Sequence, residues 1–342
     1  MIQYKRYFIA REIFTMQAWM IWTLVGVVAF LLFASLLTAY ICFYMVFYVP
    51  KKKKRMTDKE IQALTTAPPD IPEGDIYEVY REDMVKWTLA IRAMNPQSFS
   101  IKSKDGLTLR ARFYELSPGA PVEILFHGYR GHAERDLNGG VFRCFGLGHS
   151  ALLVDHRASG CSDGKIITFG VKEAEDCLLW IDFVKAHFGQ DVRIFLGGVS
   201  MGAATVMMAS GKNLPANVQG ILADCGYSSA KEIIKKVIKD MRLPAGLLYP
   251  FVKLGARLYG GFDLDATPPI EAVKHSKTPI IFFHGDTDDF VPCHMSRECY
   301  EACASPKAFV VIGGAGHGLA YPVDKDGYVA AARAFYEEQG VL

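Results

Sequence analysis

A serine framed by glycines occurs twice in this chain, as Gly160-Cys161-Ser162-Asp163-Gly164 and as Gly198-Val199-Ser200-Met201-Gly202. The pattern G-x-S-x-G suits a nucleophile elbow, in which a strand, a strained turn and a helix push a serine oxygen out above a sheet. Two copies mean that the motif alone does not choose, so the surroundings must. Arg193-Ile194-Phe195-Leu196-Gly197 reads as a strand before Ser200, and Ala203-Ala204-Thr205-Val206-Met207-Met208 as the start of a helix after it. Ser162 lies in a polar loop well beyond its strand, with no helix directly following. Ser200 is the expected nucleophile.

A hydroxyl attacks a carbonyl only when a base removes its proton, and the base needs a carboxylate to orient it. In an elbow architecture the chain order is serine, acid, histidine. Beyond residue 277 the histidines are His284, His294 and His317. His284 ends a strand and His294 begins a helix. His317 sits in Gly313-Gly314-Ala315-Gly316-His317-Gly318, a turn after the last strand from which an imidazole reaches Ser200. That turn lacks the G-x-G-x-x-G spacing of a phosphate loop. The acid falls in His284-Gly285-Asp286-Thr287-Asp288-Asp289-Phe290-Val291-Pro292, where three aspartates compete and spacing does not decide. Two N–H groups must also face the developing oxyanion. One is that of Met201, directly after the nucleophile. The other belongs to the loop His127-Gly128-Tyr129-Arg130-Gly131, and His127 itself reads as a packing residue at a strand end.

The elements that must carry these residues follow an alternating rhythm. Short apolar runs at 122–126, 150–155, 193–199, 218–223, 279–283 and 308–312 read as buried parallel strands. Helices are expected at 171–188, 201–211, 294–304 and 324–338. The spacing of Ile76, Val79, Tyr80, Met84, Trp87 and Ile91 predicts one helix over 73–94, ended by Asn95-Pro96. A hairpin follows, turning at Lys104-Asp105-Gly106. This pattern is an α/β fold, a mostly parallel sheet with helices on both faces. Residues 228–277 break the rhythm with a basic amphipathic start and an apolar middle, as a small helical lid would.

The order of these motifs resembles the α/β-hydrolase superfamily over roughly residues 98–340, most closely its bacterial, membrane-anchored serine aminopeptidase-like (S33-type) members. The acid loop there reads H-G-x-x-D-x-x-V-P, which implies Asp288 as the acid and leaves Asp286 and Asp289 as loop-capping or solvated residues. The resemblance also implies Tyr129 as the second oxyanion donor. Asp155-His156-Arg157-Ala158-Ser159-Gly160-Cys161-Ser162 is similar to the family's D-x-R-G-x-G-x-S loop, departing at Ala158 and Cys161, and reads as structural. The implied activity is hydrolysis of an ester, thioester or small amide through an acyl-enzyme. A carboxylesterase or lipase-like reaction ranks above an aminopeptidase one, because the lid carries no acidic cluster placed to hold a free amino terminus. A non-catalytic, membrane-tethered binding protein that keeps the fold is the alternative.

Composition sets the remaining bounds. The 342 residues are 51% hydrophobic and 22% charged, with a net charge of +2. No broad basic field supports nucleic-acid binding. Eight cysteines include no CxxC pair; Cys293, Cys299 and Cys303 cluster beside His294 but read as buried free thiols, and no metal or cofactor is called for. From Ile13 to Pro50 there is no Asp, Glu, Lys, Arg or His, a run long enough to cross a bilayer. Lys5, Arg6 and Arg11 precede it, and Lys51, Lys52, Lys53, Lys54 and Arg55 follow, so positive charge favours a cytoplasmic C-terminal domain. The expected organisation is an anchor with a basic flank over 1–55, a linker and packing helix over 56–97, and a catalytic domain over 98–342. Its expected partners are the bilayer and a small acyl or lipid-like substrate.

Overall fold

The structure, a computed structural model, describes residues 2–50 and 67–342, without the side chains of residues 2–11 and 13. The basic run Lys51–Arg55 and residues 56–66 of the expected linker lie outside the described residues.

The chain opens with helix α1 (Ile2–Val46), whose segment Phe14–Val46 is long and apolar enough to cross a membrane. Two helical pieces follow, α2 (Asp75–Glu78) and α3 (Arg81–Ala93), where the sequence predicts one continuous helix. The chain breaks at Val79 and Tyr80, and Val79 is 82% exposed instead of packed. Met84, Thr88 and Ile91 carry the buried face of α3.

The hairpin β1 (Gln97–Lys102) and β2 (Thr108–Tyr114) leads into β3 (Val122–Phe126). Then come α4 (Ala133–Leu147), β4 (Ser150–Asp155), α5 (Val171–Phe188), β5 (Ile194–Val199), α6 (Met201–Ser210) and β6 (Val218–Asp224). The excursion between β6 and the next strand holds α7 (Ala230–Asp240), α8 (Ala245–Gly255), a π-helical turn Ala256–Gly260 and the short α9 (Pro269–Ala272). β7 (Ile280–Gly285), α10 (Cys293–Ala302), β8 (Lys307–Ile312), α11 (Ala320–Val323) and α12 (Lys325–Glu338) complete the chain.

The eight strands form one sheet in the order β1-β2-β4-β3-β5-β6-β7-β8. The pairs β1–β2 and β2–β4 are antiparallel; every pair from β4 to β8 is parallel. A parallel pair needs a crossover, and helices supply it on both faces. β3 and β7 are buried at every residue, which is why they read as unbroken apolar runs. One core cluster centres on Ile124, Leu152, Leu196, Ile221 and Phe282 under α5 and α6; another, on Phe195, Phe283 and Tyr336, lies under α12.

Candidate active site

β5 ends at Val199 and α6 starts at Met201, so Ser200 alone makes the turn between them. Its φ is 57°, in the left-handed region that L-residues avoid, and its N–H donates to the Asp224 carbonyl at 2.8 Å. The turn is possible only because its neighbours lack side chains. A Cβ on Gly198 would stand 2.2 Å from the Gly202 carbonyl carbon, and one on Gly202 would stand 1.9 Å from the Phe126 oxygen. This is the strained geometry of a nucleophile elbow.

Ser200 Oγ lies 3.0 Å from His317 Nε2, and His317 Nδ1 lies 2.7 Å from Asp288 Oδ2. The turn after β8 and the loop after β7 therefore meet at the end of β5, joining residues 117 and 29 positions apart in sequence. Asp288 is buried, and its Oδ1 accepts the N–H groups of Phe290 and Val291. Burial raises the pKa of this carboxyl, but hydrogen bonds from His284 and His317, the charge of His317 and the Val291 N–H outweigh it. Asp288 is held well below the usual carboxylate range. Asp286 and Asp289 are exposed. Asp286 Oδ1 accepts the Gly314 N–H at 2.6 Å, so it braces the turn that presents His317.

The loop after β3 passes directly over Ser200: a Cβ at Gly128 would lie 3.6 Å from Ser200 Cβ. The Gly128 N–H donates to Asp136 and the Gly131 N–H to the Gly128 carbonyl, fixing the loop on both sides of Tyr129. Met201 is the first residue of α6, where an N–H has no partner inside the helix. His127 is buried. Its Nδ1 lies 2.8 Å from the Gly128 carbonyl and its Nε2 accepts the His156 N–H, and burial lowers its pKa. That is a neutral imidazole holding the loop.

Ser162, the other glycine-framed serine, is buried away from this site. Its hydroxyl donates to the Asp155 carbonyl at 2.6 Å and accepts the Arg110 N–H at 2.8 Å. It ties its loop to β2 and β4.

Two contributors were not legible in sequence. His284 Nε2 stands 3.3 Å from Asp288 Oδ2, giving Asp288 a second imidazole neighbour. Tyr77 Oη donates to the His317 carbonyl at 3.1 Å from a segment expected to be a packing helix with no part in the site. With Met84, Trp87, Leu125, Val199 and Tyr321, Tyr77 lines a cavity of about 200 Å³ that opens on Ser200 and His317. The only signal for this was the amphipathic spacing over 73–94.

A family model described as the alpha/beta hydrolase fold matches residues 124–257. With the sheet order and the strand–elbow–helix geometry, this shows that the chain has the α/β-hydrolase fold. The chain is 26% identical over 192 residues to YqkD, an uncharacterized protein of Bacillus subtilis; the match covers 56% of this chain and 63% of that protein. It is 24% identical over 207 residues to the lysophosphatidylserine lipase ABHD12 of Rattus norvegicus, covering 57% of this chain and 48% of that protein. Among solved structures, the Pyrococcus furiosus esterase Pf2001 superposes with a TM-score of 0.58 at 18% identity, over 79% of this chain and 98% of that one. The match thus spans less than two thirds of YqkD and about half of ABHD12.

Proposed function

We propose that this protein is a membrane-anchored serine hydrolase that cleaves carboxylic esters. Ser200 Oγ attacks the carbonyl carbon while His317 Nε2 takes its proton, and Asp288 stabilises the imidazolium. The N–H groups of Tyr129 and Met201 receive the oxyanion. Collapse expels the alcohol, which takes the proton from His317. Water, deprotonated by the same imidazole, then cleaves the acyl-enzyme and frees the acid. The observation that carries this reading is the hydrogen-bonded chain from Ser200 through His317 to Asp288, with the serine on a strained turn.

The mostly apolar cavity beside Ser200 suits an acyl group. A relative named for an ester-cleaving activity, a lysophosphatidylserine lipase, favours ester over amide. Phe14–Val46 is the anchor in this reading, the excursion over 228–277 is a lid, and the catalytic domain lies on the cytoplasmic side.

The test is Ser200→Ala beside Ser162→Ala, in full-length protein, with p-nitrophenyl esters of graded chain length, aminoacyl amides and a fluorophosphonate label. Ser200→Ala is expected to abolish both turnover and labelling. Ser162→Ala is expected to keep both per folded molecule, while losing about 1–2 kcal/mol of stability through its two broken hydrogen bonds. Labelling that survives in Ser200→Ala and vanishes in Ser162→Ala would reverse the assignment. Faster cleavage of aminoacyl amides than of any ester would replace the ester reading with a peptidase one.

A further inference from the structure

The last three turns of α1 do not behave like the rest of that helix. Phe14, Trp22 and Phe30 are each at least 68% exposed, whereas Ala39, Phe43 and Phe47, spaced by four, are buried. This stripe lies on α8 and the π-turn: a Cβ on Gly255 would stand 2.4 Å from the Ala39 carbonyl oxygen. Tyr259 stacks edge-on against Tyr40 and donates to the Leu36 carbonyl. Phe47 meets Phe262 and Phe169, and Phe169 in turn meets the ring of Tyr129. Beyond the helix, the Val49 N–H donates to the Lys165 carbonyl and the Ile167 N–H to the Phe47 carbonyl. Residues 14–38 alone extend about 37 Å as a helix, enough for the hydrocarbon core without the docked turns.

An α-helix leaves its last four carbonyls without internal partners, and they form the negative end of its dipole. Here Phe43 O accepts the N–H groups of Phe47 and Tyr48. Val46 O accepts the Tyr129 hydroxyl at 2.6 Å, and Met45 O accepts an Arg130 guanidinium N–H at 2.7 Å. Both donors come from the loop over Ser200. The Tyr129–Val46 contact is partly buried, where a bare carbonyl is costly, so it is the firmer of the two; the Arg130 contact is exposed. Arg130 itself has φ 56°, a strained conformation that needs an external hold.

We propose that the C-terminal end of α1 is a positioning element of the active site: its free carbonyls grip the Tyr129 hydroxyl and Arg130, and so fix the backbone N–H of Tyr129 toward the oxyanion. The anchor is then part of the catalytic apparatus as well as a tether. This rests on the reading of Tyr129 N–H as an oxyanion donor.

The experiment is Tyr129→Phe in the full-length protein in detergent micelles, with p-nitrophenyl butyrate as substrate. The variant keeps the ring and the backbone N–H and removes only the hydroxyl. The expected result is a roughly fivefold fall in kcat with KM within twofold of the parent, since the loop bears on the transition state more than on the bound ester. Fluorophosphonate labelling should slow by a similar factor, because that reaction develops charge on a phosphoryl oxygen facing the same N–H groups. Tyr259→Phe, which loses a hydroxyl contact to the same helix nearly three turns away, should leave kcat unchanged. Should Tyr129→Phe fail to fold, Arg130→Met carries the test, with a two- to threefold fall in kcat expected. An unchanged kcat in the tested variant overturns the proposal, and so does an equal fall in Tyr259→Phe, which would mean general loosening of the helix. Ser200→Ala in the same series separates the two readings. If it stays active, the site assignment itself has failed.

Discussion

The choice among Asp286, Asp288 and Asp289 turns on which carboxylate a tight loop aims at an imidazole. Ser200 was legible as the candidate nucleophile because a strand, an elbow and a helix each leave a residue pattern. His317 followed from chain order and from its glycine-rich turn. The acid did not, since adjacent aspartates differ only in direction, and the resemblance alone pointed to Asp288. The structure supplies the missing term: Asp288 turns inward onto His317 and His284, Asp286 turns to the Gly314 N–H, and Asp289 stays in solvent. His284 as a second partner was hidden because a strand-end histidine is equally well a packing residue. Asp288→Asn replaces the acceptor that sets the His317 tautomer, and is expected to lower kcat by roughly 10³–10⁴-fold with little loss of folding. Asp289→Asn should cost less than about twofold, and Asp286→Asn less than about tenfold, through its brace on the turn. Steady-state kinetics on the three variants, with circular dichroism as the folding control, check the order. A crippled Asp289→Asn beside an active Asp288→Asn would move the acid.

At the level of elements, the strands were legible in position, but β8, read as buried, is an edge strand with only Ile312 buried, and the helix α4 was missed. Buried parallel strands are continuous apolar runs, which few other segments imitate. α4 carries Gly139 and Gly140 at its centre, and each costs about 1 kcal/mol of helix propensity relative to alanine. Tertiary packing explains Gly139, because a Cβ there would stand 2.8 Å from the Trp87 ring. The helix is held instead by a buried cluster, in which Arg143 of α4 donates to Glu123 of β3 and His149, just before β4, contacts the same carboxylate at 3.0 Å. Burial raises the Glu123 pKa, but Arg143 and His149 outweigh it and bring it down to about 2. A carboxyl with a folded pKa below its unfolded value of about 4.5 stabilises the fold above pH 4.5, and that stability is lost as pH falls toward 2. Glu123→Gln is therefore expected to cost roughly 3 kcal/mol at pH 7, where it strands a buried guanidinium, and the gap to the parent should narrow between pH 4.5 and pH 2.5. Urea unfolding at a series of pH values measures it. A gap that stays constant with pH would show that the Glu123 charge is not what holds α4.

For the whole molecule, the sequence announced an anchor and a hydrolase domain but not that they form one packed body. The docking stripe Ala39, Phe43, Phe47 has helical spacing, yet it runs through a segment apolar on every side, so its periodicity has no polar face to stand against. Uniform hydrophobicity marks a membrane helix and conceals a protein interface within it. Because the C-terminal end of α1 docks on α8 and on the loop over Ser200, in the proposed reading the side of the membrane on which α1 ends is the side on which catalysis occurs. Two observations bear on which side that is. Three basic residues precede the apolar run and five follow it directly, which favours retaining the following segment in the cytoplasm. All eight cysteines are free, and Cys144, Cys161, Cys177, Cys225, Cys299 and Cys303 are buried, a pattern suited to a reducing compartment where thiols need no partner. Protease added to intact cells should therefore leave the hydrolase domain uncut, and the same protease should digest it once the membrane is permeabilised. The second arm matters, because a tightly packed domain resists cleavage on either side of a membrane. Digestion in intact cells would place catalysis outside. The triad would stand unchanged, and the free thiols would have to survive oxidation through burial alone.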